Sequence, residues 1–295
     1  MSDTIEIFAP RGIPGVTPGA DLPALILAAV DAHHAGPLRD GDILVVTSKV
    51  VSKAEGRVID VDDRQAARAT ESRRIVARRG DTVIVEHRLG LVHAAAGIDT
   101  SNVEPGSALL LPVDPDASAR GIRRRLADAT GLRLGVLISD TAGRAWRTGQ
   151  TDLTIGLAGV VAIDSHIGRT DPFGNDLRVT EIAVADELAA AADLAKTKLG
   201  GRPVAVVRGL AHLVTDDDGA SAPLLREESK DFFRLGRREA VLDAILKATG
   251  QSERYADVVG LDGDALVAAI TADAAEADHD WIRRLLNAVA PSKSA

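Results

Sequence analysis

No cysteine occurs among the 295 residues, which excludes disulfides, zinc–thiolate centres and a thiol nucleophile and leaves oxygen and imidazole as metal donors. Aromatic residues amount to 2%, too few to build the platforms on which single-stranded nucleic acids stack. Positive charge is also in deficit. The 35 Lys and Arg against 43 Asp and Glu give a formal charge of −8, which argues against non-specific binding to nucleic acid or an anionic membrane but permits a local basic pocket. No apolar run reaches the roughly 20 residues that span a bilayer, and Met1-Ser-Asp-Thr-Ile-Glu lacks a basic segment followed by an apolar one. Neither Gly-x-x-x-x-Gly-Lys-Ser/Thr nor Gly-x-Gly-x-x-Gly is present, so a nucleotide, where bound, is not held by a standard P-loop or Rossmann turn. Small-molecule chemistry in the cytoplasm is the expectation.

What the chain does contain is core: 45% of its residues are hydrophobic, enough at this length for two domains or one large one. Strand and helix signals alternate from the start. Ile5–Phe8 and Asp42–Thr47 read as strands, with an apolar-periodic helix over Asp21–His33 between them. A helix over Asp63–Arg79 is followed by strands near Thr82–Glu86 and Gly90–His93, a polar loop at 96–102, and a strand at Ser107–Pro112. The basic helix Ser118–Thr130 leads into the strand Leu134–Ser139, then come the glycine-punctuated apolar segment Thr151–Asp164, an alanine-rich helix over Thr180–Leu199 closed by Gly200-Gly201, and the strand Val204–Val207. Apolar residues at helical spacing fill Arg237–Thr249 and Asp264–Val289, and Pro291–Ala295 reads as frayed. The fold class is α/β, in the mixed α+β sense.

The most informative stretch is Leu134-Gly-Val-Leu-Ile-Ser-Asp140-Thr141-Ala-Gly143, where an apolar run ends in a carboxylate, a hydroxyl and a glycine. Ligands collect beyond the carboxyl ends of such strands in α/β proteins, and an Asp-Thr pair there offers hard oxygen to Mg²⁺ or Mn²⁺; an ordinary turn would use the same residues. Ser48-Lys49-Val-Val-Ser-Lys53 follows a strand directly, so a helix starting there sets Lys49 and Lys53 four apart on one face, suited to phosphate. An ammonium about 4 Å from a phosphate charge gains roughly 4 kcal/mol at an effective dielectric of 20, before desolvation. Asp99 and Asn102 share the polar loop, and two carboxylates such as Asp99 and Asp140 recur as metal holders in phosphoryl transfer. Gly12-Ile13-Pro14-Gly15 lets backbone approach a ligand. Asp216-Asp-Asp-Gly219 lacks EF-hand spacing and reads as an exposed acidic turn, and Arg123-Arg-Arg125 as a helix face.

In order, Gly12-Ile-Pro-Gly15, Ser48-Lys-Val-Val-Ser-Lys53-Ala-Glu-Gly56, Ala96-Gly-Ile-Asp99-Thr-Ser-Asn102-Val-Glu, Leu111-Pro-Val-Asp-Pro-Asp116, Ile138-Ser-Asp140-Thr141-Ala-Gly-Arg144 and Ala205-Val-Val-Arg-Gly-Leu210 resemble the coenzyme F420-0:L-glutamate ligase family, over roughly residues 5 to 240. The resemblance implies GTP-dependent ligation: the γ-phosphoryl group activates the lactyl carboxylate of F420-0, the amine of L-glutamate attacks the acyl phosphate, and a further glutamate is added through a γ-linkage. It implies that Asp99, Asp140 and Thr141 hold Mg²⁺ or Mn²⁺, with a monovalent cation as a possible addition, and that Gly12, Ile13, Pro14, Gly15, Ser48, Lys49, Lys53 and Asn102 contact GTP. It further implies two intertwined α/β subdomains within residues 1–238, a helical extension over 239–295, and a homodimer.

Two departures stand out. Where archaeal relatives have, after the long helix, a loop richer in glycine with a Glu that helps bind metal and nucleotide, this chain has Lys196-Thr-Lys198-Leu-Gly-Gly201, and Lys198 cannot replace a carboxylate ligand. Bifunctional actinobacterial relatives continue into a flavin-binding reductase domain, and the helical residues after Arg238 are too few for one, so ligase activity alone is expected. A nucleotide-binding module without catalysis, or a metal-dependent nucleotide hydrolase or phosphatase, would use the same pocket and carboxylates.

Overall fold

A computed structural model describes residues 4–290; the Pro291–Ala295 segment read as frayed lies outside them. Along the chain come β1 (Glu6–Phe8), α1 (Leu22–Asp31), β2 (Ile43–Thr47), α2 (Ser48–Ala54), β3 (Val58–Asp60), α3 (Arg64–Glu71), β4 (Ser72–Arg79), β5 (Thr82–His87), β6 (Val92–Ala94), β7 (Ser107–Leu109), α4 (Pro115–Thr130), β8 (Gly135–Arg144) and β9 (Arg147–Ala158). Then follow β10 (Asp164–Ser165), β11 (Glu181–Ile182), α5 (Val184–Lys196), β12 (Val204–Arg208), α6 (Arg237–Ala248), α7 (Tyr255–Val258), α8 (Gly263–Thr271) and α9 (His279–Val289). The mixed α/β class expected from the alternation is observed. None of these helices is long and apolar enough to cross a membrane.

Two compact units share the chain. The first comprises residues up to 62 and 99–225, the second residues 63–98 and 226 onwards. The first is built on a five-stranded sheet of order β1-β12-β2-β8-β9, in which only β2 and β8 run parallel. Ile43, Leu44, Val45 and Val46 are fully buried, as a central strand covered on both faces requires. On one face Ile43, Val45, Leu137, Leu157, Ala205 and Val207 pack against Ala185, Leu188 and Ala192 of α5, whose alanines permit a close approach. The other face carries α4 on β8 and β9. Helix α4 has the start and stop its sequence dictates: Asp114 caps the Ala117 amide at 2.9 Å, Pro115 occupies the first turn, and Gly131 ends the helix in the left-handed region at φ 72°.

The approach of α4 to β9 depends on Gly156, where a Cβ would lie 2.6 Å from the Pro115 carbonyl oxygen. Gly156→Ala should therefore cost about 1–3 kcal/mol, the range for overpacking, read as a lowered urea midpoint. An unchanged midpoint would show that the helix moves away freely.

In the second unit β4, β5 and β6 form an antiparallel sheet, and Ile75 of β4 joins the core of Leu242, Ile245, Leu246, Ile270 and Ile282. The helix expected over Asp63–Arg79 stops at Glu71, and Ser72–Arg79 is a strand. Its β-branched pair Ile75 and Val76 lies among arginines, which raised the apparent helical character, while pairing with β5 decides the backbone. Helix Asp264–Val289 is likewise two helices, α8 and α9, interrupted at residues 272–278.

At the end of β5 His87 is fully buried. Its Nδ1 accepts the Leu89 amide at 3.1 Å, which leaves Nε2 to donate to Glu71 at 3.1 Å. Burial, partly countered by the Glu71 charge, holds the imidazole down at about 4 from its ordinary 6.5. A depressed folded value means that the unfolded chain binds the proton first. His87 therefore stabilises fully above pH 6.5, and that contribution is lost as pH falls toward 4, at about 1.4 kcal/mol per unit inside the window. Monitoring the His87 ring proton by NMR should show no titration above pH 5; a midpoint near 6.5 would contradict the burial argument.

Candidate functional site

The parallel pair β2 and β8 sets the site, because Thr47 is in register with Ser139 and both strands deliver their next residues at the same sheet edge. Ser48 begins α2 directly after β2. Its hydroxyl donates to Asp140 Oδ1 at 2.7 Å, within the buried interior. Strand β8 does not end at Ser139, as the sequence suggested, but continues to Arg144 as one arm of a hairpin with β9. Polarity does not break the strand here because the ladder pairs Asp140 with Leu153 and Thr141 with Asp152. Side chains alternate along it, so Asp140 faces Ser48 while Ser139 and Thr141 face Asp152.

Asp152 is the hub of that second face. It accepts from Ser139 Oγ at 2.8 Å, Thr141 Oγ1 at 2.7 Å and Lys196 Nζ at 2.8 Å, and Lys196 also donates to Ser139 Oγ at 2.8 Å. Lys196 and Asp152 are each 3% exposed. Burial opposes ionisation of Asp152, but the Lys196 charge and the hydrogen bonds from Lys196, Thr141 and Ser139 outweigh it, and the carboxyl is held below its usual range.

Helix α2 presents Lys49 and Lys53 to one loop, as their spacing predicted. Lys49 forms an ion pair with Asp99, and Lys53 Nζ donates to the Asn102 carbonyl at 2.7 Å. Asp99 also accepts the Ser101 amide at 2.6 Å, and its backbone exchanges hydrogen bonds with Leu109 at the end of β7. Burial works against its charge; the bonds from Lys49 and Ser101 prevail and lower its pKa. Asn102 sits in the left-handed region at φ 57°, which short polar side chains tolerate.

These groups surround a cavity of about 410 Å³. Ile13, Pro14 and Gly15 line it from the loop after β1, Lys49 and Lys53 from α2, and Asn102 and Thr141 complete the expected set, while Asp152, Lys196, Asp193 and Arg202 line it as well. Gly12, Ser48, Asp99 and Asp140 stand outside the lining, the last three through contacts already described. Asp152 and Lys196 escaped the sequence reading. A signal for Asp152 existed: with residues 135–158 read as a hairpin, it falls opposite Thr141. Lys196 had none, since only the fold brings the end of α5 to β9.

Among the described residues no three His, Asp or Glu side chains converge to hold a metal by themselves. The donors at the sheet edge are nonetheless carboxylate and hydroxyl oxygens, the set that suits Mg²⁺ or Mn²⁺, and such ions commonly take one or two carboxylates with the remainder from water and phosphate.

The F420-0:gamma-glutamyl ligase family model matches residues 12–74 and 66–209, a span that contains every residue of this cavity. The chain belongs to that family. Relatives of this ligase family include a coenzyme F420:L-glutamate ligase of Archaeoglobus fulgidus, 39% identical over 78% of this chain and 96% of the relative. Another, of Methanothermobacter thermautotrophicus, is 38% identical over 78% and 99%, and one of Methanopyrus kandleri is 37% identical over 74% and 93%. The match thus reaches across the gamma-glutamyl ligase region that builds the β2–β8 edge, α2, α5 and the loop at 99–102.

Proposed function

We propose that the chain ligates L-glutamate to the lactyl carboxylate of coenzyme F420-0 in F420 biosynthesis, using GTP and a divalent cation and passing through an acyl phosphate. The observation that carries this reading is the cavity itself: lysines, a sheet edge of hard oxygens and an open backbone loop surround one space, in a segment 37–39% identical to proteins named coenzyme F420:L-glutamate ligase. A carboxylate is a poor electrophile until it is phosphorylated. Transfer of the γ-phosphoryl group to a carboxylate oxygen releases GDP; the glutamate amine then attacks the acyl carbon, the C–N bond forms, the C–O bond to phosphate breaks, and phosphate leaves as the nitrogen gives up its proton. Phosphoryl transfer of this kind needs positioning and charge stabilisation more than a protein nucleophile.

Lys49 and Lys53 would contact the GTP phosphates from one side of the cavity, with Ile13–Gly15 and Asn102 placing the rest of the nucleotide. Asp99, Asp140 and Thr141 would supply oxygen ligands to Mg²⁺ or Mn²⁺, Asp140 and Thr141 from opposite faces of β8; the cation supplies Lewis-acid stabilisation of phosphoryl oxygens when bound. Lys196 keeps Asp152 ionised and thereby fixes the orientation of the Thr141 hydroxyl.

Mass spectrometry of F420-0 incubated with the protein, GTP, Mn²⁺ or Mg²⁺ and L-glutamate tests the reading. Product heavier by one or more glutamyl units, absent when GTP or glutamate is omitted, is expected. Phosphate release without glutamate would instead favour a hydrolase, and GTP binding without release a non-catalytic module. Lys53→Ala should reduce turnover at limiting GTP about tenfold, the equivalent of 1.4 kcal/mol; unchanged kinetics would remove Lys53 from the nucleotide site.

A further inference from the structure

The tip of the β8–β9 hairpin has no work in the scheme above, and three of its features run against stability. Trp146 is 78% exposed, so a large apolar face forgoes the gain that burial would bring. The same residue occupies the left-handed region at φ 58°. It is the third residue of the turn Arg144-Ala145-Trp146-Arg147, a position that glycine or asparagine fills at little cost and a bulky side chain does not. Finally, Arg144 and Arg147, both exposed, pair directly across the ladder. Like charges so placed repel, and among the described residues neither belongs to an ion pair.

Neither turn chemistry nor core packing accounts for this choice of residues, and all three departures meet within four positions. Strain and exposed anchors gathered at one place mark an arrangement for a ligand rather than for the fold. The place is also well connected. Thr141 lines the cavity, and β8 runs on from it to Arg144, about 10 Å at the rise of an extended strand. One elongated molecule can therefore lie with one end at the oxygens of the sheet edge and the other at the hairpin tip.

The pattern has a matching chemistry. An indole offers its face to a flat heteroaromatic ring, and guanidinium forks suit phosphate oxygens. A single indole serves one ring and not a run of stacked bases, in keeping with a chain that is 2% aromatic. Coenzyme F420-0 has the complementary parts in order: a flat deazaflavin at one end, the lactyl carboxylate at the other, and an anionic phosphodiester between them. Two arginines beside the tryptophan answer that negative charge in a protein whose formal charge is −8.

We propose that the hairpin tip is the subsite for the body of the acceptor, the Trp146 indole stacking on its ring system and Arg144 and Arg147 receiving its phosphodiester. The assignment rests on the ligase reading above, which requires such an acceptor. It makes the hairpin a ruler: the ring is held at the tip, and the carboxylate to be activated is delivered toward Asp140 and Thr141.

The test is steady-state kinetics of the full chain with F420-0 varied at saturating GTP and glutamate, together with urea denaturation and sedimentation of each variant. Trp146→Gly should raise KM for F420-0 about tenfold or more, the order of a lost stacking contact, and leave KM for GTP and for glutamate within about twofold. Its urea midpoint should hold or rise, because glycine adopts φ 58° freely. Trp146→Phe, which keeps a ring, should stay close to wild type, and Arg144→Gln combined with Arg147→Gln should raise KM for F420-0 alone. An unchanged KM for F420-0 in Trp146→Gly would overturn the subsite while the ligase stands; a lowered midpoint beside it would make the tryptophan structural, and a lowered sedimentation mass would give the tip to a second copy of the chain. Wild-type protein that adds no glutamate would overturn the ligase reading. In that event calorimetric titration with F420-0 alone decides the subsite: heat that Trp146→Gly abolishes supports it, and identical traces from the two proteins overturn it.

Discussion

Lys196→Met is expected to cost about 3–5 kcal/mol of stability, the range for removing one partner of a buried ion pair. The reason is local. Lys196 is the cation of a closed group with Asp152 and Ser139, and methionine fills its volume without answering either oxygen. Asp152 would be left charged in the interior or forced to take a proton. Chemical denaturation of the single variants and of Lys196→Met with Asp152→Asn separates these cases: the double variant should be more stable than the sum of the single losses predicts, by 1 kcal/mol or more. Strict additivity would mean that the pair does not interact as its geometry indicates.

The pH dependence has a definite sign. In the wild type Asp152 is held below its ordinary value, so its contribution is present above the unfolded pKa and is lost as pH falls through the folded one. Without Lys196 only the burial penalty remains with the two hydroxyl bonds, the folded pKa rises, and the variant's deficit should shrink as pH falls and Asp152 is protonated. A deficit that grows in acid would count against the explanation.

Asp140→Asn is expected to separate activity from stability. Asparagine retains an oxygen for the Ser48 hydroxyl bond of 2.7 Å, so the unfolding midpoint should move by about 1 kcal/mol or less. Turnover should fall by about a hundredfold or more, because a neutral amide is a weak ligand for a hard cation and metal stabilisation of a phosphoryl group is worth several kcal/mol. The paired measurement is glutamate-dependent phosphate release across a Mn²⁺ titration. Full activity with an unchanged metal optimum would remove Asp140 from the cation site.

How much of this was legible beforehand follows from how far each interaction reaches along the chain. The cap and stop of α4, the buried run of β2 and the lysine spacing of α2 are written within a few residues of each other and were readable. The helix read over Asp63–Arg79 failed because charge periodicity outweighed two β-branched residues whose partners lie across a sheet. The extension of β8 past Ser139 failed for a related reason: Asp140 and Thr141 resemble a strand end until Leu153 and Asp152 are known to face them. Lys196 and Asp152 are 44 residues apart, and nothing local to either announces the other. The expected site residues Ile13–Gly15, Lys49, Lys53, Asn102 and Thr141 do meet in one cavity; of the remaining lining, the turn after α5 was marked only by the resemblance, and Asp152 was hidden.

Because Thr47 and Ser139 are neighbours in a parallel ladder, the meeting of Ser48 with Asp140 is measured out by main-chain hydrogen bonds and not by the shape of side chains. Trimming Val45 or Leu137 would loosen the interior but keep the two polar groups aligned. Losing a single residue from either strand would do the reverse, leaving composition nearly intact while turning every later side chain to the opposite face, so that the neighbour offered to Ser48 would no longer be a carboxylate.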